Sequence, residues 1–347
     1  MNSVPPSILY PVLKPVHLTK MLKPVPPLIA LEEHFIAKEL LPELSDTYAE
    51  QLKHLPDLAS RLTDVGPLRL ADMNKNNIAV QAVSHAPGLA ALPPGLSHRA
   101  NEALAEAIKA HPRRLVGLAV LPMSTPDIAA QMLRRSVRWL GFRGALIDAH
   151  ADGTHYDHPR FWGVFRVAEE LDVPVYLHPT WPSQVQRRAY EGNYAEGAAR
   201  SLGTSGFGWH SETGLAVLKL FAAGLFDEVP KLKIVIGHFG EMLPFMMERV
   251  GKLSTRWGER KRPWEEVWRE NIWVTTSGVW GLAPMACLLM NTPIEHIMYS
   301  VDYPFEKSEN GLAWMKDLID SRVATVEEVE MIAHKNAERL LKVKVAR

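Results

Sequence analysis

The sequence predicts an α/β chain folded as a (β/α)8, or TIM, barrel. Two observations carry this. Eight short apolar or β-branched runs recur from residue 28 onward, each followed by sequence of helical periodicity, and several of the runs are continuously apolar. Runs such as Pro174-Val175-Tyr176-Leu177 and Ile234-Val235-Ile236 mark parallel strands with helices on one face and a filled barrel on the other. An open doubly wound sheet is the competing arrangement. It is disfavoured because no Gly-x-Gly-x-x-Gly turn follows the first run and no Walker loop occurs anywhere.

Taken in order, residues 1–27 contain seven prolines and read as an extended N-terminal arm, with the barrel occupying residues 28–347. Strands are expected at residues 28–32, 79–84, 115–121, 143–147, 173–177, 233–237, 271–276 and 296–301. Between them, Ser97 is expected to cap a helix through Lys109, and Thr125 one that reaches Trp139. Thr325 and Glu328 form a capping box for the last helix, through Leu341.

Composition narrows the function. The 347 residues are 47% hydrophobic, enough for a sizeable core, and the 39 basic residues balance the 39 acidic ones. No global field therefore attracts nucleic acid or an anionic membrane. The lone Cys287 excludes an internal disulfide and cysteine-rich zinc sites, and points to a reducing, cytoplasmic setting. No run of about 18 apolar residues is present to span a bilayer.

In a barrel, reactive groups project from the C-terminal ends of the strands. Here those ends are polar: Glu32, Glu33 and His34 after the first strand, Asp148 and His150 after the fourth, His178 after the fifth, His238 and Glu241 after the sixth, Asp302 after the eighth. Glu32 and His34 are two apart on extended chain, so both face one way and can grip one ion, while Glu33 faces the other way. With His178 and Asp302 they make two imidazoles and two carboxylates, a set that suits one zinc or manganese ion. In Ile236-Gly237-His238-Phe239-Gly240-Glu241 the glycines allow a tight turn, and Glu241 can return to orient His238.

These residues resemble the amidohydrolase superfamily, in its branch of aromatic decarboxylases that includes those acting on 2,3-dihydroxybenzoate, gamma-resorcylate and 5-carboxyvanillate. The stretches that carry the resemblance are Ala30-Leu31-Glu32-Glu33-His34-Phe35, Gly141-Phe142-Arg143-Gly144-Ala145-Leu146, Leu171-Asp172-Val173-Pro174-Val175-Tyr176-Leu177-His178-Pro179, Gly237-His238-Phe239-Gly240-Glu241, Thr275-Thr276-Ser277-Gly278 and Ser300-Val301-Asp302-Tyr303-Pro304-Phe305-Glu306. The resemblance implies one divalent metal per subunit on Glu32, His34, His178 and Asp302, with no organic cofactor. It implies a non-oxidative, reversible decarboxylase of an ortho-hydroxybenzoic acid, in which Asp302 protonates the ring carbon and His238, held by Glu241, orients the substrate. It further implies that Arg249 reaches a neighbouring subunit's site in a homodimer or homotetramer.

Arg69 is assigned to the substrate carboxylate, and Trp280 and Phe305 to the substrate pocket, with Trp181 and Trp209 as further candidate ring walls. The sequence departs from relatives of simple hydroxybenzoate specificity in Ile147-Asp148-Ala149-His150-Ala151-Asp152-Gly153, so the substrate class is expected and its ring substituents are not. Two rival readings remain: a metal hydrolase in which Asp302 is the base for a water, and a catalytically silent scaffold. The first is disfavoured by Glu-x-His in place of His-x-His and by Asp148 where binuclear relatives carry lysine. The second is disfavoured because no ligand is lost.

Overall fold

The computed structural model describes residues 24–345. Of the proline-rich arm, residues 1–23 lie outside the described residues; Val25 and Pro26 accept hydrogen bonds from the Asn77 amide at 3.0 and 2.9 Å. Nine parallel strand segments follow in chain order: β1 (Leu28–Phe35), β2 (Ile78–His85), β3 (Leu115–Gly117), β4 (Ala119–Val120), β5 (Ala145–Asp148), β6 (Val175–His178), β7 (Ile234–Ile236), β8 (Ile272–Thr275) and β9 (Ile297–Met298). The strands expected at the eight sequence runs are all present. The third run is not one strand, however. Its ladder switches sides at Leu118, whose N–H donates to Val83 O of β2 while the N–H of Ala119 donates to Gly144 O, both at 2.9 Å. β3 and β4 are therefore two halves of one stave.

Side chains alternate between two cores, as a covered parallel sheet requires. One set faces the surrounding helices. The other fills the barrel: Ile29 and Leu31 of β1, Val80 and Ala82 of β2, then Leu118, Leu146, Tyr176, Val235 and Met298, with Trp273 packed against them. Every stave contributes to this inner cluster, and Ala337, Leu340 and Leu341 of the last helix close it from one end.

No regular ladder joins β9 to β1, and polar groups stitch that seam instead. His34 N–H donates to Tyr303 O at 2.7 Å, and Glu32 N–H donates to Ser300 Oγ at 2.6 Å. The Glu33 carboxylate, fully buried, accepts from Val301 N–H (3.0 Å), Tyr303 N–H (3.1 Å) and the Ser300 hydroxyl (3.1 Å). Register shifts between Ala30 and Glu33 mark the irregularity in β1 that re-aims these side chains.

Helix starts differ from expectation in two places. The helix Pro94–Ala110 starts before Ser97, which is buried inside it, because Pro94 pre-sets the first turn. Thr125 does precede the helix Pro126–Trp139, without a side-chain cap bond. The Thr325–Glu328 capping box forms, at 2.7 and 3.2 Å, and opens the succession Val326–Glu330, Met331–Lys335 and Asn336–Leu341. Among the described residues no helix is long and apolar enough to cross a membrane.

Because the Glu33 carboxylate is the shared acceptor of this seam, its loss orphans two backbone donors. Glu33→Ala is expected to lower stability by roughly 3 kcal/mol or more, read as a fall in the urea midpoint, and Glu33→Gln by less.

Candidate metal centre and active site

Three strand ends, those of β1, β6 and β9, deliver four side chains to one point. The ligand atoms of Glu32, His34, His178 and Asp302 lie within 4.8 Å of one another. His178 Nε2 is 2.9 Å from Glu32 Oε1, and His34 Nε2 is 3.1 Å from Asp302 Oδ1. Glu32 Oε1, His34 Nε2, His178 Nε2 and Asp302 Oδ1 are each buried without a hydrogen-bond partner. Four orphaned polar atoms converging in a buried space are costly unless a cation collects them. Two imidazole nitrogens and two carboxylate oxygens are a donor set for zinc or manganese.

The surrounding groups aim these atoms. The Nδ1 of His178 lies 2.6 Å from Pro179 O, so Nδ1 carries the proton and Nε2 presents its lone pair. The other oxygen of Glu32 is held by the Tyr176 hydroxyl, which sits 2.6 Å from Thr275 Oγ1; Thr275 in turn lies 2.8 Å from Ser277 Oγ. A side chain at Gly237 would meet Glu32 Oε2 at 2.5 Å, which explains the glycine there. Burial pushes the Glu32 carboxyl up, but His238, His178 and His34 together hold it well below the usual carboxylate range.

Beside this group, His238 and Glu241 sit on a left-handed turn. His238, Phe239, Glu241 and Met242 have φ of +50°, +55°, +52° and +64°, and Gly240 of +89°. Such backbone persists only where surrounding structure enforces it, and it is concentrated at functional sites. The turn brings His238 Nδ1 to 2.8 Å from Glu241 Oε1, leaving His238 Nε2 3.8 Å from Glu32 Oε1. Burial pulls the His238 imidazole down, yet Glu241 and then Glu32 pull it up to about 10. A cation on Glu32 offsets part of that pull. The second oxygen of Glu241 lies 2.9 Å from His210 Nδ1, a contact that no local sequence pattern signals because the two residues are 31 apart in the chain.

The remaining expectations divide. Phe305 lies with its ring 5.7 Å from His34 and stacks at 5.9 Å on Tyr48. Tyr48 continues to Trp181 (4.8 Å) and Trp181 to Trp209 (5.4 Å), so one aromatic wall runs outward from the metal group. Tyr48 itself carried no signal in the sequence. Trp280 is half-buried in the loop after β8 and packs on Trp314 at 6.1 Å. Asp148 does not join the ligand group: its carboxylate accepts from Gly88 N–H (3.0 Å) and Ala90 N–H (3.4 Å), and burial raises it to about 6. His150 accepts from Gly153 N–H at 3.0 Å and shapes its own loop.

Arg69 requires correction. The expected partner of a substrate carboxylate is fully buried behind β1, where it donates to His34 O (2.5 Å), Gln81 Oε1 (3.1 Å) and Asp64 O (3.2 Å). Its guanidinium also lies 4.7 Å above the Tyr303 ring. A fully buried cation committed to three acceptors supports the ligand-bearing backbone and cannot greet a ligand. Arg249, by contrast, is exposed on the helix Leu243–Ser254.

A barrel with this set of strand-end ligands defines a metallo-barrel of the amidohydrolase type, and the amidohydrolase family profile matches residues 39–343. The chain belongs to that family. Among its relatives, it is 50% identical over 327 residues to "Decarboxylase orsB" of Emericella nidulans, covering 92% of this chain and 98% of that one. It is 36% identical over 341 residues to a gamma-resorcylate decarboxylase of Rhodococcus jostii, covering 90% and 98%. The fold superposes with a TM-score of 0.82, at 31% identity and 91% and 97% coverage, on a dihydroxybenzoic acid decarboxylase of Polaromonas with bound manganese and the inhibitor 2-nitroresorcinol.

The four-residue group makes a prediction independent of turnover. Chelated protein titrated with manganese or zinc is expected to take up one ion per chain, and Tyr176→Phe to weaken that binding by about 10- to 100-fold, the usual cost of losing a ligand's supporting partner. Uptake unchanged in Glu32→Gln would contradict the assignment.

Proposed function

We propose that this chain is a metal-dependent, non-oxidative decarboxylase of an ortho-hydroxybenzoic acid, a carboxy-lyase. The single observation that carries the reading is the buried convergence of four partnerless ligand atoms with Asp302, 18% exposed, at its open edge. A carboxylate in that position serves both the cation and a substrate above it. The decarboxylase names of the relatives support the same reaction class.

The chemistry follows from charge. Direct loss of carbon dioxide would leave an aryl anion too basic to form, so the ring carbon bearing the carboxylate must first gain a proton. A neighbouring phenolate makes that carbon basic enough. Glu32, His34, His178 and Asp302 would hold a divalent cation, which would supply Lewis acidity to the substrate's oxygens. Asp302 gives its proton to the ring carbon; the bond to the carboxylate then breaks, its electron pair restores the aromatic ring, and carbon dioxide departs. Asp302 is left as the carboxylate and regains a proton from the next phenol or from solvent. His238, held by Glu241, orients the substrate and faces the charge that accumulates during dearomatisation. Phe305 offers the ring a flat wall, and Trp280, in the loop after β8, is assigned as a second pocket residue.

The rival hydrolase reading would use Asp302 as the base for a water. The binuclear form of that site has no support here, because Asp148 is committed to the backbone of residues 88–90. Arg249, exposed beside Phe245 (85% exposed) on the same helix, fits a homodimer in which it reaches the neighbouring copy's substrate.

Incubation with salicylates, resorcylates, catechol acids and alkylated relatives, in the presence of manganese or zinc, is expected to release carbon dioxide from at least one. Asp302→Asn is expected to abolish release while circular dichroism is unchanged. No turnover across the panel, or a near-normal rate in Asp302→Asn, would overturn the reading. For Arg249→Ala, turnover is expected to fall, and mixing with Asp302→Asn chains to restore part of it if the arginine acts across the subunit boundary.

A further inference from the structure

His210 opens the helix Gly208–Ala223, directly after the segment 179–207 that follows β6. Its two ring nitrogens face two acceptors: Nδ1 lies 2.9 Å from Glu241 Oε2 and Nε2 lies 3.2 Å from Ser205 O. With a carboxylate oxygen facing Nδ1, that nitrogen donates to Glu241. Its ring centroid is 4.5 Å from that of His238, in an edge-on arrangement. Glu241 is thereby held between two imidazoles, one on each oxygen, at 2.8 and 2.9 Å, with a side chain that is 0% exposed. Unlike the partnerless atoms of the four-residue group, each oxygen of Glu241 is hydrogen-bonded by one ring, so a second cation is not needed to account for the cluster.

Building on the decarboxylase reading, we propose that His210 is a positioning residue for the reaction: it anchors the second oxygen of Glu241, and through Glu241 fixes the ring of His238 toward the substrate. The physical reason is the cost of a half-satisfied buried carboxylate. Without His210, Glu241 Oε2 loses its donor on a side chain that is 0% exposed. The carboxylate then relaxes by rotating or taking up a proton, and either change releases His238 Nδ1. The Ser205 contact also ties the chain before the helix to this pair, so the same residue links residue 205 and the His238 imidazole in one hydrogen-bonded line.

His210→Leu removes the donor to Glu241, whereas His210→Asn keeps one near the Nδ1 position. In the leucine variant kcat is expected to fall by about 10- to 100-fold, the worth of one hydrogen bond to a charged group, with KM little changed; the asparagine variant is expected to recover most of the loss. If His210 acts through Glu241, the double variant His210→Leu/Glu241→Gln is no slower than Glu241→Gln alone, whereas a general packing defect would multiply the losses. Thermal unfolding of each variant identifies a folding failure, in which case the cycle is run with asparagine. A readout without turnover is the downfield imidazole proton resonance of zinc-loaded protein that disappears in His238→Asn. Loss of this resonance in His210→Leu and its survival in His210→Asn would support the proposal even if the wild type releases no carbon dioxide, an outcome that would sink only the decarboxylase reading. Wild-type kcat in His210→Leu, multiplying losses, or an unchanged resonance would overturn it.

Discussion

The arrangement depends on how the last strand is joined to the first. The Glu33 carboxylate, accepting from the backbone on both sides of Asp302, is the clasp of that seam. Glu32 and His34 flank Glu33 in sequence, so one buried side chain fixes the ligands of β1 against the ligand that follows β9. Burial pushes the Glu33 carboxyl up to about 8, against the pull of the Val301 N–H, the Arg69 guanidinium and the Tyr303 N–H. Arg69 completes the clasp from behind, through His34 O and the face of Tyr303. The relative placement of Glu32, His34 and Asp302 is thus set at the barrel seam.

Against that rigid seam the site stores unfavourable conformations. Four non-glycine residues around His238 and Glu241, and Asp302 itself at φ +73°, lie in the left-handed region. At about 1–3 kcal/mol apiece, these are a substantial demand on a fold whose net stability is typically only about 5–15 kcal/mol. The compensation comes from the packed inner cluster and from hydrogen bonds that use both oxygens of Glu241. Such a site is made to hold charge in fixed places, so little reorganisation is needed when charge moves in the substrate.

Much of this was legible in the sequence because the relevant signals are local or periodic. Apolar runs marked the staves, the polar residue after each run marked the strand end, and the alternation of Glu32, Glu33 and His34 separated two residues of the convergent group from the carboxylate of the seam. The misses share a different cause. Leu118 interrupts its stave because adjacent strands draw its neighbours to opposite sides, which is a matter of barrel geometry. Arg69 reads as a free arginine on a helix until the fold buries it against β1. Tyr48 and His210 enter the site from segments outside the strand-end pattern, and their partners, Phe305 and Glu241, are distant in the chain. Long-range pairing of that kind leaves no spacing to read.

The central claim, that this centre moves a proton onto an aromatic carbon as carbon dioxide leaves, is tested most directly by the product formed in deuterium oxide. The account predicts a phenolic product carrying one deuterium at the ring carbon that bore the carboxylate, with one carbon dioxide released per turnover. A product that keeps its carboxylate, or carries no deuterium at that carbon, would contradict it.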